Sequence, residues 1–158
     1  FNMTGWRLGW LVVPEALVPV IERLAQNLFI CPSTVSQHAA LACFESESLG
    51  VYEDRRAAFK ARRDSFIPQL NAMGLSVPVM PDGAFYAWAD CRDACRRLGL
   101  KDSWAFAEHL MQHAHVALTP GRDFGTHAPG DYVRFSTASS LQDLQTAAKR
   151  IQNLLEAA

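Results

Sequence analysis

Two arginines carry the most pointed chemistry in this chain. Arg7 lies within Asn2-Met3-Thr4-Gly5-Trp6-Arg7-Leu8-Gly9-Trp10, a cation set between glycines beside a short apolar run. A guanidinium on a backbone kept close by Gly5 and Gly9 offers a planar fork suited to a phosphate or carboxylate held bidentately. The plainer reading is an internal salt bridge. Arg134 lies in Tyr132-Val133-Arg134-Phe135-Ser136 and, taken alone, reads as an arginine on an edge strand. A third grouping is metal-like. Cys91 and Cys95 are separated by three residues, and His109, His113 and His115 follow. A zinc site would need two good ligands beside the cysteines. The histidines fit an ordinary half-exposed helix end, so no metal is expected.

Elements must hold these residues in place. Trp6 to Val13 is an apolar run bounded by Gly5 and Pro14 with one charge, which predicts a strand buried on both faces. Apolar residues at 17, 20, 21, 24 and 28 predict a helix starting near 15–17, with Pro19 tolerated in its first turn. Thr34 and Gln37 have capping-box spacing ahead of a second, Ala-rich helix. A longer helix is expected over about 51–73, with Tyr52, Phe59, Phe66, Leu70 and Met73 on one face and Gly74 ending it. Its basic cluster (Arg55, Arg56, Lys60, Arg62, Arg63), interspersed with Glu53, Asp54 and Asp64, reads as a solvated face.

Beyond Gly74 the pattern changes to short strands at 76–80, 84–89, 116–119 and 132–136. Two helices accompany them. One covers about 103–113 and buries Ala107, Leu110 and Met111. The other starts at Leu141 behind the cap Ser140 and buries Leu144, Ala148, Ile151 and Leu155. Helices packed on a small sheet give an α+β layer, with a boundary inside or just after the long helix, near residue 70. Trp6, Trp10, Trp88 and Trp104 are expected in the core or at an interface.

Composition narrows the classes. In 158 residues, 49% are apolar and 20% charged, the balance of a packed globular protein. A net charge of −1 gives no footprint for nucleic acid or an anionic membrane surface. No apolar run approaches the roughly 20 residues that span a bilayer. Four scattered cysteines do not form a secreted disulfide framework, which favours a cytoplasmic setting. Phe1 is not methionine, and the first residues read like the middle of a structured segment, so a longer protein is expected.

Thr4-Gly5-Trp6-Arg7-Leu8-Gly9 resembles the Thr-Gly-Trp-Arg-x-Gly segment of fold-type I aminotransferases of class I and II. Three further stretches match in the family order. Pro81-Asp82-Gly83-Ala84-Phe85-Tyr86 is similar to Pro-x-Gly-Ala-Phe-Tyr, residues 116–125 to Val-x-x-x-Pro-Gly-x-x-Phe-Gly, and Val133-Arg134-Phe135-Ser136 to Val-Arg-Phe-Ser. The resemblance implies pyridoxal 5'-phosphate as cofactor, Arg7 as ligand of its phosphate and Arg134 as ligand of the substrate α-carboxylate. It implies no catalytic residue within the chain, since the Schiff-base lysine would lie a residue or two before Phe1. Lys60, Lys101 and Lys149 occupy polar or charged-face positions, none in a Gly-rich or apolar pocket suited to imine formation. Gly83 and Gly121 read as turn glycines, and Arg122 and Asp123 are given no chemistry.

By the same resemblance the fold is α/β, the C-terminal half of such an enzyme. Residues 1–70 would be the C-terminal part of the cofactor-binding large domain, one strand plus helices, and 71–158 a small α+β C-terminal domain. The full-length protein would act on an amino acid and a 2-oxo acid as a homodimer, and this piece alone would be inactive. The alternative is a non-catalytic small α/β module whose arginines bind an anion or a partner protein.

Overall fold

The computed structural model describes residues 1–157, which divide into two compact units, Phe1–Arg55 and a second from Arg56 onward. In the first unit, a 3-10 turn at Thr4–Trp6 leads into irregular chain, then a second turn at Glu15–Leu17 passes directly into helix α1, Val18–Leu28. Pro19 sits in the first turn of α1, where its missing N–H costs nothing. Helix α2, Thr34–Leu41, follows, and the first part of α3, Ser46–Ala72, completes the unit.

One expectation fails here. Residues 6–13 form no strand, because no described residue offers them a ladder partner, and Val12 is 94% exposed. The stripe along α1 has the anticipated spacing, yet Leu17, Val20, Leu24 and Leu28 all face solvent. Periodicity specifies which residues share a face, and burial needs a second surface. What packing exists gathers around Phe1, whose ring lies 5.3 Å from Trp10, 5.5 Å from Phe44 and 5.2 Å from Tyr52. The cap of α2 is Ser33 rather than Thr34, and the Gln37 amide reaches back to donate to the Pro32 carbonyl at 3.1 Å.

The second unit holds the core. Helix α3 begins five residues earlier than its periodicity suggests and carries Pro68 in its interior. It ends at Gly74 (φ 90°), with the Leu75 N–H donating to the Leu70 carbonyl at 3.0 Å and the Gly74 N–H to Asn71 at 3.1 Å. This is the left-handed helix stop, sealed by contact between the buried Leu70 and Leu75. An added Cβ at Gly74 would also stand 2.9 Å from the Asp93 carboxylate.

Strand β1, Tyr86–Asp90, precedes α4, Arg92–Leu98, and α5, Ser103–His113. Strands β2, Thr119–Pro120, and β3, Tyr132–Ser136, and helix α6, Leu141–Glu156, finish the chain. The sheet has the order β1-β3-β2, antiparallel throughout. The fold is therefore α/β, helices on a small three-stranded sheet. Phe66, Ile67 and Leu70 of α3, Phe106 and Leu110 of α5, and Leu144, Ala148, Ile151 and Leu155 of α6 close over Ala87, Ala89, Val133 and Phe135.

Local chemistry explains the elements. The Asp102 carboxylate accepts from Ala105 N at 2.9 Å to start α5, and the Ser140 hydroxyl accepts from Asp143 N at 3.1 Å to start α6. Helix α4 was not anticipated; Asp90 accepts from the Arg92 N–H at 2.9 Å, and side-chain bonds from Arg92 hold its carboxyl below the usual carboxylate range. Arg97 of α4 donates to the Met73 and Leu155 carbonyls, satisfying the ends of α3 and α6. The strand expected at 76–80 shrinks to a bridge between Ser76 and Asp90. Pro78 removes a donor, and the Val77 N–H is taken by the Asn71 side chain at 2.7 Å. On α5, Phe106 is buried and Met111 is exposed, a shift of the anticipated face. The basic face of α3 is only partly solvated, since Arg62 donates to the Ala138 carbonyl at 3.1 Å and Arg63 to Pro81 at 2.7 Å.

The contrast between the units is measurable in urea unfolding of this chain. Ile151→Ala, at a fully buried site, should cost about 2–5 kcal/mol. Leu24→Ala, on the exposed stripe, should stay within about 0.5 kcal/mol.

Candidate functional site

Strand alternation sorts the sheet into two faces. Ala87, Ala89, Val133 and Phe135 enter the core, and Tyr86, Trp88, Tyr132 and Arg134 point the other way, partly exposed. Arg134 lies opposite Trp88 on β1 and Thr119 on β2, so the arginine occupies the middle of this second face. Its guanidinium carbon is 4.0 Å from the centre of the Tyr86 ring and 4.1 Å from that of Phe124. Among the described residues it forms neither an ion pair nor a side-chain hydrogen bond with the protein.

A row of rings continues on both sides. Phe124 meets Trp88 edge-on at 5.7 Å, and Trp88 stacks on Tyr132 at 5.7 Å. Tyr86 adjoins Phe85 at 4.4 Å, which stacks on Phe59 of α3 at 5.6 Å. The Thr137 N–H and hydroxyl both donate to the Phe85 carbonyl, at 2.7 and 3.3 Å, which ties the approach to β1 to the end of β3.

The turn that brings in Phe124 has one strict requirement. Residues 121–124 form a 3-10 turn directly after β2. A Cβ on Gly121 would stand 2.5 Å from the Pro129 carbonyl oxygen and 2.7 Å from that of Tyr132. Both obstacles are backbone and cannot yield. The glycine therefore lets the turn lie on the start of β3, where Phe124 reaches Arg134. Arg122 is engaged elsewhere, its guanidinium carbon 3.2 Å over the Trp104 ring.

Arg7 lies in the other unit and is described separately. It ends the turn Thr4–Trp6 with left-handed backbone (φ 53°), and its Nη1 donates to the Thr4 carbonyl at 3.2 Å. It is exposed and has no carboxylate partner among the described residues, so the internal salt bridge is not formed. The close backbone approach expected at Gly5 and Gly9 is also not found: a Cβ at either would meet nothing within 4 Å.

The remaining candidates separate. Cys91 and Cys95 are buried with their sulfurs 3.9 Å apart, and Cys91 donates to the Asp131 carbonyl at 3.2 Å. The thiol bond with Cys95 and burial push the Cys91 thiol up, away from the thiolate that metal binding needs. His109 and His113 pair ring to ring at 4.4 Å on α5. Among the described residues no three such groups are placed to share a metal ion. None of the four tryptophans is buried; Trp6 and Trp10 are exposed, and Trp88 lines the face of Arg134. No helix among the described residues is long and apolar enough to cross a membrane.

The family model for class I and II aminotransferases matches residues 1–151. The chain belongs to this family. Among curated aminotransferase relatives, the valine–pyruvate aminotransferase of Mycobacterium tuberculosis is 37% identical over 98% of this chain. The aspartate aminotransferase of Geobacillus stearothermophilus is 36% identical over 99% of it. A crystal structure of an aminotransferase from M. tuberculosis superposes with a TM-score of 0.86 at 37% identity, covering 99% of this chain and 39% of that one. The aromatic aminotransferase of Pyrococcus horikoshii follows at 0.82 and 34%, covering 99% and 40%. The chain spans 39% of the length of both curated relatives.

Three of the four aminotransferase motifs thus meet at one guanidinium: Tyr86 closes the first, Phe124 belongs to the second, and Arg134 is the third. Sequence reading singled out Arg134 and missed the rings. The signal for Tyr86 and Trp88 was present in the alternation of 86–90, but the register that sets Trp88 opposite Arg134 is a property of two strands together, and Phe124 arrives on a turn outside both. Pyridoxal phosphate, which the family uses, carries a phosphate that calls for a cation. An exposed guanidinium unclaimed by any described carboxylate fits that demand at Arg7.

Gly121→Ala should destabilise the chain by about 1–3 kcal/mol, because the clash is with backbone. Gly9→Ala should change it by less than about 0.5 kcal/mol. Chemical denaturation of the two variants side by side checks the difference.

Proposed function

We propose that the full-length protein is a pyridoxal-phosphate-dependent aminotransferase, moving an amino group between an amino acid and a 2-oxo acid, and that this stretch supplies its grip. The observation that carries the reading is the Arg134 guanidinium, presented without a carboxylate partner among the described residues on a face built by three family motifs.

On this reading the chain is the C-terminal half of the enzyme, with residues 1–70 in the large domain and 71–158 forming the small one, and the complete protein is a homodimer. When bound, pyridoxal phosphate supplies a conjugated ring that takes up the electron pair released at the substrate Cα. Arg134 binds the α-carboxylate through two N–H donors and fixes how the substrate is turned. Arg7 holds the phosphate as a fixed positive charge. Both arginines position; neither moves a proton, because a guanidinium does not give one up in the working pH range. Lys60, Lys101 and Lys149 are all exposed, which supports the reading that none of them carries the cofactor and that this chain alone does not transaminate.

The two roles separate in the full-length protein. Arg134→Gln should lower kcat/KM for the amino donor roughly 10- to 100-fold, the worth of a hydrogen-bonded charged group, with cofactor affinity unchanged. Arg7→Gln should weaken cofactor binding, read by equilibrium dialysis. Loss of cofactor affinity in the Arg134 variant, or full donor kinetics in it, would overturn the assignment. Borohydride treatment of this chain with one equivalent of pyridoxal phosphate should label none of its three lysines selectively; selective labelling of one would show that the chain carries its own attachment site.

A further inference from the structure

We infer that Tyr86 and Phe124 are positioning residues that clamp the Arg134 guanidinium between their rings, so that only its N–H edge is presented to a carboxylate. The inference rests on the reading of Arg134 as a carboxylate ligand and adds how that ligand is made ready.

The guanidinium carbon is almost equidistant from the two ring centres, 4.0 Å from Tyr86 and 4.1 Å from Phe124. A guanidinium is weakly hydrated above and below its plane and strongly hydrogen-bonding around its edge. Rings set against its two faces would cover the parts that lose little by leaving water and would keep the donors at the edge available. Without such cover, a half-exposed arginine samples many rotamers, and ordering it would oppose every binding event. The clamp orders it beforehand.

Neither ring is a core side chain: Tyr86 is 40% exposed and Phe124 44%. Their placement is nonetheless fixed from behind. Phe124 is braced edge-on by Trp88, which stacks on Tyr132, and it rides on the turn that Gly121 seats against two backbone carbonyls. Tyr86 is held by its ladder pairing with Ser136 and by the ring of Phe85, whose carbonyl takes both Thr137 donors.

The test is arginine side-chain NMR of the 158-residue chain, titrated with sodium acetate as the carboxylate probe at constant ionic strength. Arg134→Gln assigns the signal. In the wild type the Arg134 Nε–H resonance should lie upfield of the arginines that contact no ring, from the ring currents, and move saturably with acetate. In Tyr86→Leu/Phe124→Leu it should return to the position of a free arginine, and acetate should bind on the order of fivefold to tenfold more weakly, the scale of a cation–π contact. Tyr86→Phe should keep both properties, since the ring face acts and the hydroxyl does not. Unchanged backbone resonances over 141–156 in the double variant confirm that the unit is folded. Acetate binding within twofold of wild type in the double variant would overturn the clamp and leave Arg134 as the carboxylate ligand. An Arg134 signal indifferent to acetate in the wild type would overturn the carboxylate reading itself.

Discussion

The antiparallel pairing of β1 with β3 is the constraint on which the rest of this structure depends. Its register sets Trp88 opposite Arg134 and Ala87 opposite Phe135, and so decides in one step which residues enter the core and which face solvent. A slip of one residue would bury the guanidinium among α3, α5 and α6 and expose Val133 and Phe135. The ladder is therefore held at several points. Thr137 bonds to the Phe85 carbonyl at one end, Ser76 pairs with Asp90 at the other, and the Cys91 N–H donates to the Asp131 carbonyl just beyond, at 2.8 Å. The core on one face stabilises the register, and the register places the cation on the other.

Three of the four aminotransferase motifs, those beyond Gly74, meet on this face. The glycine of Pro120-Gly121 is demanded by two carbonyl oxygens, the phenylalanine three residues later by the guanidinium, and the arginine by its place in the middle strand. Helix α3 joins the same arrangement from below, through Phe59 against Phe85 and through Arg62 and Arg63, which donate to the carbonyls of Ala138 and Pro81. Those two arginines fasten the loops that precede β1 and follow β3, which adjoin at one end of the sheet.

Legibility in the sequence followed the range of the forces involved. Helix α6 could be read to the residue, because a capping side chain and a periodic stripe lie within one short stretch: Ser140 to start, and Leu144, Ala148, Ile151 and Leu155 to bury. Helix α5 was legible in its span, whereas its cap Asp102 and the burial of Phe106 in place of Met111 were not. Strand β3 was equally plain. Helix α4 escaped notice because its first N–H is satisfied by Asp90 at the end of the preceding strand. Residues 6–13 read as a strand because their composition suits burial on both faces, but a ladder needs a partner, and no described residue provides one. The site was half legible. Arg134 announced itself through its type and neighbours, whereas Tyr86, Trp88 and Phe124 become site residues only once two strands and a turn have met.

The central claim is that Arg134 receives a carboxylate on an edge prepared by its flanking rings. The crystal structure of the full-length protein with pyridoxal phosphate and an amino acid substrate analogue bound tests it most directly. The account predicts two N–H···O contacts of about 2.7–2.9 Å from Arg134 to the α-carboxylate, with Tyr86 and Phe124 still on either side. An α-carboxylate bound elsewhere, with Arg134 paired to a protein carboxylate, would contradict it.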